Sequence, residues 1–363
     1  MPPPLLLHSL AEFRELIFDC LELVDPSAIV EIGSEHGTFT VELLRWAKDH
    51  GATVHAIDPA PTNELNELAE RWPELDLVEE HSPQALQQVE PGDVYLIDGD
   101  HNYITVLGEL EAIHGRCSGR PYLAFLHDVG WPCGRRDQYY QPEALSAEAV
   151  HPHTYGEGVV PDSDEVVEGG FRGEGQFAFA RHEGGPANGV LTAVEDFLAQ
   201  HDEELAFARV PCVFGLGVLY PKSAPWADSL ATILAPYGDN DLLGRLEENR
   251  LTLYLSVLEL QDDRERVRRG FEQSQLEVRD LGAENRALWA RTSELEDQVQ
   301  HMSEQVRELR LHLRTLKDEV DALVRSRAFA VAEGLSRVRS LAGATPGLSR
   351  QRLREVLGGT AES

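Results

Sequence analysis

The first 128 residues alternate short apolar runs with segments whose apolar residues recur at helical spacing. Residues 8–24 have the helical spacing and begin behind Ser9, a residue type that caps helix N-termini. Apolar runs of strand length then recur, separated by segments with the period of amphipathic helices. The predicted strands are AIVEIG (28–33), TVHAID (53–58), LDLVEE (75–80), DVYLID (93–98) and PYLAFLHD (121–128). This alternation predicts right-handed crossovers and a doubly wound parallel sheet.

The alternation stops after Asp128. Residues 129–186 are rich in Gly, Pro, Tyr and charge, and an insert of this length inside a domain is typical of a lid or a binding loop. A predicted helix (190–201) and two apolar strands, LAFARVP and CVFGLGVLY, follow. The two strands are close enough in sequence to pair antiparallel at the sheet edge. We therefore predict an α/β domain over residues 28–222, preceded by an N-terminal helix within 1–27.

The apolar period changes to 3.5 residues in the C-terminal third. A stretch with several prolines, 223–240, is predicted to be a linker. One heptad register then holds over eleven heptads and predicts a long α-helical coiled coil over 241–325. β-branched residues at several a positions, Leu at most d positions and Asn285 at an a position favour a parallel homodimer. A single solvated helix, or one folded back on the globular part, is the alternative. The tail, 326–363, is expected to be partly disordered.

Charge changes this picture because it is distributed unevenly. The chain has 32 Lys and Arg against 63 Asp and Glu, a net charge of −31. Residues 1–230 contain 12 of the basic and 40 of the acidic residues, and residues 231–363 contain the other 20 basic and 23 acidic residues. The acidic first part disfavours binding to a nucleic-acid backbone. The four cysteines have no paired spacing, and we find neither a signal-peptide pattern nor an apolar run of 18 residues. These features predict a cytoplasmic protein with reduced thiols and no membrane span.

Glycines follow the first predicted strand in the pattern Glu31-x-Gly33-x-x-x-Gly37. A tight turn between a strand and a helix lets backbone N–H groups approach a ligand at the helix N-terminus. Asp58, at the end of the second predicted strand, is placed to accept hydrogen bonds from both hydroxyls of a ribose. The combination predicts a cofactor that contains a nucleoside. The alternative is that Gly33 and Gly37 only allow close packing of strand and helix.

Ionisable side chains follow the fourth and fifth predicted strands. Because neighbouring parallel strands end at the same edge, we expect these side chains to converge in the ligand crevice. Carboxylates with one imidazole suit Mg²⁺ or Mn²⁺, and a histidine without metal would suit a general base. A structural role is the third alternative, with Asp100 or Asn102 capping the helix that begins near Tyr103. The catalytic candidates are Asp98, His101 and His127, and the candidate metal ligands are Asp98, His127 and Asp128.

The insert concentrates aromatic and cationic side chains near its start. Aromatic rings can stack on a sugar or an aromatic ring, and arginines can hold an anion with two parallel hydrogen bonds. Each residue taken alone is more typical of an exposed loop. As a group they predict a hydrophilic or glycosylated acceptor, with Trp131, Arg135, Arg136, Tyr139 and Tyr140 as candidate substrate-binding residues.

These motifs resemble class I S-adenosylmethionine-dependent methyltransferases. The resemblance is to the branch with macrocin-type sugar O-methyltransferases, cephalosporin-hydroxylase-like proteins and catechol or caffeoyl-CoA-type O-methyltransferases. EIGSEHG matches the first motif of that family, EEHSPQAL the segment that contacts adenine, and LIDGDHNY with FLHDV the strand ends that often hold a divalent metal. The resemblance implies a Rossmann-like methyltransferase sheet and S-adenosylmethionine as cofactor. The cofactor-binding residues it implies are Glu31, Gly33, Ser34 and Gly37 at the methionine end, Asp58 at the ribose, Ser82 near adenine, and Asp98.

The implied reaction is methylation of a hydroxyl on a sugar, a glycan or a glycosylated natural product, with or without a divalent ion. Two other functions stay open at this point. The acid and histidine pairs at the strand ends are also compatible with a metal-dependent phosphoester hydrolase. The chain is also compatible with an inactive methyltransferase-fold scaffold whose coiled coil binds a partner.

Overall fold

A computed structural model describes residues 6–117, 119–201 and 204–341, together with 349, 351–353 and 355. The chain divides into two compact units, Met1–Val267 and Arg268–Ser363. The first unit contains all the described strands and most of the helices. The second unit contains the C-terminal part of one long helix and a shorter helix after it.

A seven-stranded sheet forms the centre of the first unit. Its strands are β1 Ala28–Ile32, β2 Thr53–Ile57, β3 Leu75–Val78, β4 Val94–Ile97, β5 Leu123–Leu126, β9 Leu205–Val210 and β10 Leu216–Pro221. The order across the sheet is β3-β2-β1-β4-β5-β10-β9. Strands β1 to β5 are parallel, and β10 is antiparallel to both β5 and β9. The predicted doubly wound sheet with an antiparallel edge is confirmed.

The strand order reverses between β1 and β4. Ile32 pairs with Ile57 on one side and with Ile97 on the other, and Ile97 in turn pairs with Leu126. The carboxyl ends of β2, β1, β4 and β5 are therefore level with one another. In open sheets of this kind, ligands bind in the crevice outside the strand ends at such a reversal.

Helices cover both faces of this sheet because the strands are apolar on both faces. The helices are α1 Arg14–Val24, α2 Thr38–His50, α3 Asn63–Arg71, α4 Ser82–Ala85, α5 Tyr103–Arg116, α6 Val190–His201 and α7 Ala227–Leu234. Ile29 and Leu96 belong to the apolar layer shared with α1, α2, α3 and α7. Val30 and Tyr95 belong to the opposite layer, shared with α4, α5 and α6. A 3₁₀ turn, Leu10–Phe13, precedes α1, and Ser9 caps it as predicted.

The stretch 223–240, expected to be a linker, contains α7. Ala227, Leu230 and Leu234 are buried on one side of this helix, which packs against α1. The apolar spacing of three and four residues forms a helical face in spite of the nearby prolines. This segment is therefore part of the folded first unit.

The insert, 129–186, is organised by a small sheet of its own. The strands β6 Gln138–Tyr139, β7 His153–Thr154 and β8 Ala178–Ala180 pair antiparallel in the order β6-β8-β7, and a 3₁₀ turn, Pro142–Ala144, follows β6. Fully buried Arg136 donates hydrogen bonds to the carbonyl oxygens of Ala180 (2.7 Å) and Asp164 (2.8 Å). The insert therefore has a polar framework in place of a long irregular loop.

Helix α8 spans Asp241–Arg325, the range predicted for the coiled coil. Its N-terminal part packs within the first unit, which corrects the prediction of a coiled coil from its first residue. Leu251 is 5% exposed and lies in an apolar cluster with Leu6 and Phe214. Arg250, a predicted a position, lies over the Phe214 ring, 4.8 Å from its centroid. These contacts explain the polar residue at that heptad position.

The predicted a and d positions of α8 from 278 to 323, here called the heptad seam, are apolar and solvent-exposed in most cases. Leu281, Leu288 and Leu309 are more than 60% exposed. Residues 327–341 of the expected disordered tail form helix α9, Arg327–Leu341. The tail residues 342–348, 350, 354 and 356–363 lie outside the described residues. Among the helices of the described chain, none combines the length and apolar character needed to cross a bilayer.

Candidate functional site

The glycine turn between β1 and α2 touches the end of β4. Gly33 has φ +86°, and a Cβ at this position would collide with the carbonyl group of Asp98. Gly37 has φ +71°, and a Cβ there would lie 2.5 Å from Leu68 Cδ1. Only glycine meets both the backbone conformation and the close approach at each position. The turn is thus held against the strand end that carries the acid Asp98.

Glu31 points into this turn from β1. Its Oε2 accepts hydrogen bonds from Ser34 Oγ (2.9 Å) and Thr40 Oγ1 (2.5 Å). Burial raises the pKa of Glu31 to about 7, because its effect outweighs the two hydroxyl donors, which lower the pKa. Glu31 and Ser34 therefore form a buried hydrogen-bonded group under the turn, as expected for side chains that shape a cofactor pocket.

Asp58, at the end of β2, is hydrogen-bonded to the same turn. Its Oδ2 accepts from the backbone N–H of Glu35 (2.9 Å), and its Oδ1 accepts from that of Ala60 (2.8 Å). Each carboxylate oxygen keeps a second lone pair. Asp58 is thus able to accept two further hydrogen bonds, the number that a pair of ribose hydroxyls supplies.

Ser82 begins α4 and is buried against α5. Its hydroxyl donates to Glu109 Oε1, and burial raises the pKa of Glu109 to about 8. The other oxygen of Glu109 is buried without a hydrogen-bond partner among the described residues. Sequence reasoning missed Glu109, although its place on the apolar face of α5, between Val106 and Leu110, is a detectable signal for a buried acid.

His127 follows β5 and forms the floor of the site. Its Nδ1 lies 2.9 Å from Asp98 Oδ1 and 3.0 Å from Asp128 Oδ2, and its Nε2 lies 2.9 Å from the carbonyl oxygen of Val213. Burial alone lowers the pKa of His127, but the two carboxylates outweigh it and raise the pKa well above its ordinary value. His127 is therefore an imidazolium that donates from both nitrogens. Neither nitrogen is free to act as the predicted base or metal ligand.

His101 lies on the crevice side of the same carboxylates. It is buried, its Nδ1 is 3.4 Å from Asp128 Oδ2, and its ring centroid is 6.0 Å from that of Tyr140. Asp128 has φ +59°, an uncommon conformation for a residue other than glycine. Burial raises the pKa of Asp128, but the His101 and His127 rings outweigh it and lower the pKa. Asp128 is thus an ionised acceptor between two imidazoles.

Three side chains at the strand ends offer ligand atoms to one point. One atom each from Asp98, His101 and Asp128 lies within 4.8 Å of the others, so that this trio could hold a metal ion. The trio differs from the predicted ligand set, because His101 takes the place of His127. The alternative role for these residues was to cap helix α5. Asn102 is the residue that caps α5, since its side chain accepts from the Thr105 N–H (3.0 Å).

Asp100 has another part in the site. Its Oδ2 accepts from Asn102 Nδ2 (2.6 Å) and its Oδ1 from the N–H of Tyr140 (3.5 Å). Burial raises its pKa. The acid therefore joins the β4 end to the start of the insert and does not cap α5.

The predicted substrate-binding residues divide into two groups. Arg135 donates from both terminal nitrogens to Glu195 (2.6 Å each), and buried Tyr139 donates from its hydroxyl to Asp137 (2.7 Å). Like Arg136, these side chains stabilise the insert through hydrogen bonds within the protein. Tyr140, 46% exposed, remains beside His101. Trp131 packs on Phe171, with ring centroids 6.2 Å apart, and buries an indole N–H that has no partner among the described residues.

A short loop between β9 and β10 supports His127 from below, and α8 supports that loop. Val213 and Phe214 have φ +46° and +62°, which is strained for a β-branched or bulky residue. Their N–H groups donate to the two carboxylate oxygens of Glu247 (3.0 and 2.9 Å), which also accepts two hydrogen bonds from Arg250 (2.6 Å each). Sequence reasoning assigned Glu247 only to the coiled coil.

The N-terminal turn closes another side of the site. The backbone N–H of Leu10 donates to Asp98 Oδ2 (3.2 Å), and the Phe13 ring meets the His127 ring edge to face at 6.1 Å between centroids. Periodicity predicted the helix but carried no signal for these contacts.

Comparison with known proteins identifies one family model that matches part of the chain. Residues 30–129 match the family model Methyltransf_24, described as a methyltransferase domain. No curated protein sequence matches the chain.

Several solved structures are similar at low identity. The S-adenosylhomocysteine-bound Podospora anserina methyltransferase PaMTH1 is 14% identical over 58% of this chain and 78% of that chain, with a TM-score of 0.36. An O-methyltransferase from Bacillus cereus is 14% identical over 59% of this chain and 82% of that chain, with a TM-score of 0.35. A Burkholderia thailandensis 1,6-didemethyltoxoflavin-N1-methyltransferase is 14% identical over 59% of this chain and 79% of that chain, with a TM-score of 0.34. The family match, which spans the glycine turn and both strand ends, shows that this chain carries a class I S-adenosylmethionine-dependent methyltransferase domain.

Proposed function

We propose that the chain is an O-methyltransferase that acts on a hydroxyl group of a sugar, a glycan or a glycosylated natural product. The observation that carries this proposal is the position of His101. Its ring lies at the crevice between the ionised carboxylate of Asp128 and the exposed ring of Tyr140. The glycine turn and Asp98 are in direct contact beside it. A base thus stands next to the place where the family binds its methyl donor.

The cofactor residues fit S-adenosylmethionine. Asp58 has lone pairs for the ribose hydroxyls, and the buried Glu31 and Ser34 group shapes the turn that faces the methionine end. Ser82 and Glu109 lie at the predicted adenine side. When bound, the cofactor supplies a methyl group on a sulfonium, which leaves as a neutral thioether.

His101 takes the proton in this mechanism. Asp128 orients the His101 ring through Nδ1, which leaves Nε2 for the acceptor hydroxyl. When the acceptor oxygen takes the methyl group that bound S-adenosylmethionine would supply, the hydroxyl proton would pass to Nε2 of His101. The resulting imidazolium is stabilised by Asp128, in the same way that His127 is already stabilised by Asp98 and Asp128. In the alternative with a divalent ion, Asp98, His101 and Asp128 would hold Mg²⁺ or Mn²⁺, which would polarise the acceptor oxygen in place of the base.

Calorimetry with S-adenosylhomocysteine tests the proposed cofactor. We expect binding by the full-length chain and at least a tenfold weaker affinity for Asp58→Ala, whereas Asp49→Ala, an exposed acid on α2, should bind as the wild type does. Absence of binding at millimolar ligand would contradict the proposal and favour the hydrolase alternative.

Transfer of labelled methyl groups to a panel of sugars and glycosides tests the reaction. Turnover that persists in EDTA supports His101 as the base, and turnover that requires Mg²⁺ assigns the trio to a metal. Cofactor binding without transfer to any hydroxylated acceptor would favour the inactive scaffold.

We further propose that two copies pair through the heptad seam as a parallel coiled coil. The seam leaves Leu281, Leu288 and Leu309 more than 60% exposed, and a second copy would remove these side chains from water. Light scattering should show a dimer that becomes a monomer when Leu281 and Leu288 are changed to Asn. The control changes Arg279 and Arg286, at b positions, to Asn and should stay dimeric. A monomeric wild-type chain would overturn the pairing.

A further inference from the structure

A second group of metal-ligating side chains lies away from the catalytic cluster. His114 is in the last turn of α5, His201 is the last residue of α6, and Glu204 immediately precedes β9. Within the group, His114 contacts Tyr122, the residue before β5, whereas the catalytic cluster follows the other end of that strand. The two groups are therefore at opposite ends of the sheet.

The three side chains converge closely. One ligand atom from each lies within 4.8 Å of the others. The two imidazole rings are 4.4 Å apart between centroids, and His114 Nε2 is 3.8 Å from Glu204 Oε2. Ligands of a tetrahedral Zn²⁺ at roughly 2.0–2.1 Å are about 3.3 Å from one another. Closing the group around an ion needs only small side-chain rotations, and Glu204, whose side chain is 70% exposed, is free to make them.

The surroundings fix the two rings. The Tyr122 hydroxyl lies 3.1 Å from His114 Nδ1, which leaves Nε2 facing Glu204. A hydrogen bond to the second nitrogen is the usual way in which proteins orient a histidine that binds metal. Phe197 packs against both rings, at 5.7 Å from His114 and 4.8 Å from His201.

The chain trace brings His201 and Glu204 to the same side. The N–H of Glu204 donates to the carbonyl oxygen of His201 (3.0 Å) at the end of α6. Helix α6 packs on α5, and this packing adds His114 to the pair.

We propose that His114, His201 and Glu204 bind a Zn²⁺ ion, with water as the fourth ligand. Two imidazoles and one carboxylate are donors that suit Zn²⁺ and neighbouring transition metals better than Mg²⁺ or Ca²⁺. The ion would join the ends of α5 and α6 to the start of β9. This site is independent of the proposed methyl transfer.

Calorimetric titration of Zn²⁺ into the full-length chain carrying His101→Gln tests the site, because that substitution removes the one imidazole of the trio Asp98, His101 and Asp128 that could hold a metal ion. We expect the chain to bind one Zn²⁺ ion saturably, and we expect the affinity for that ion to fall at least tenfold when Glu204→Gln is added. Glu111→Gln removes the same charge from an exposed position on α5 and should leave the affinity within twofold.

The double change His114→Gln and His201→Gln should abolish binding of this Zn²⁺ ion. Circular dichroism should show that the variant stays folded. Co²⁺ gives a second readout, since a tetrahedral site absorbs strongly in the visible and the Glu204→Gln chain should lose that band. Absence of Zn²⁺ binding, or binding that neither Glu204→Gln nor the double change weakens, would overturn the proposal.

Discussion

Replacing Glu247 with alanine tests whether α8 holds the loop beneath His127. The carboxylate accepts from the N–H groups of Val213 and Phe214, and the Val213 carbonyl oxygen accepts from His127 Nε2. Glu247 is only 12% exposed, so these hydrogen bonds are little weakened by solvent. The substitution leaves both donors without their partner.

The expected loss of stability combines two opposing contributions. Hydrogen bonds to a charged acceptor contribute roughly 1.5–3 kcal/mol each, or about 3–6 kcal/mol for two. The left-handed region costs about 1–2 kcal/mol per residue, and relaxation of half of this strain at Val213 and Phe214 returns about 1–2 kcal/mol in total. We therefore expect Glu247→Ala to lower the free energy of unfolding by about 2–4 kcal/mol. Glu247→Gln keeps one acceptor oxygen and should lose roughly half as much.

Urea unfolding of the full-length chain, followed by near-ultraviolet circular dichroism, measures these differences as shifts in midpoint. Glu248→Ala is the matched control, because Glu248 is exposed on the next position of α8, and it should stay within about 0.5 kcal/mol of the wild type. If Glu247→Ala unfolds at the same midpoint as Glu248→Ala, the carboxylate does not hold the loop.

Three further substitutions test the site. Glu109 has a pKa of about 8 against an ordinary 4.5, so the folded state binds the extra proton and loses stability as the pH rises. Relative to Glu109→Gln, the wild type should lose about 2–3 kcal/mol between pH 6 and pH 8 in urea titrations, and parallel profiles would contradict this. Gly33→Ala should weaken S-adenosylhomocysteine binding more than tenfold in calorimetry. Gly51→Ala, with a similar φ but nothing within 4 Å of its Cβ, should not. His101→Gln should lower the methyl-transfer rate at least a hundredfold and leave that binding within twofold, and an equal loss of both would assign His101 to the cofactor.

Local sequence patterns predicted the parts of the site that depend on strand ends. Asp98 and His127 follow buried strands that are neighbours in a doubly wound sheet, so their proximity follows from the fold class. The state of His127 could not be predicted in this way. It depends on the carbonyl oxygen of Val213, 86 residues further along the chain, and on a loop whose conformation is supported by Glu247.

The insert and α8 show a second reason for missed predictions. An arginine in a polar segment suggests an anion site, but Arg136 is buried with carbonyl acceptors that only the folded insert supplies. Heptad spacing predicted the bounds of α8. It could not show that Leu251, outside the a and d positions, would pack into the first unit. Periodicity defines the faces of a helix but does not identify the surface that each face contacts.

The hydrogen bond from Leu10 to Asp98 has a practical consequence for where the enzyme begins. A chain shortened to start at Ala28, where the sheet starts, would keep every strand and the whole family match. It would lose the donor to Asp98 and the ring against His127, and it would uncover the core that α1 closes through Ile17 and Leu21. The smallest fragment that keeps the site complete therefore includes the N-terminal turn, and an extension fused close to Leu10 would lie near Asp98.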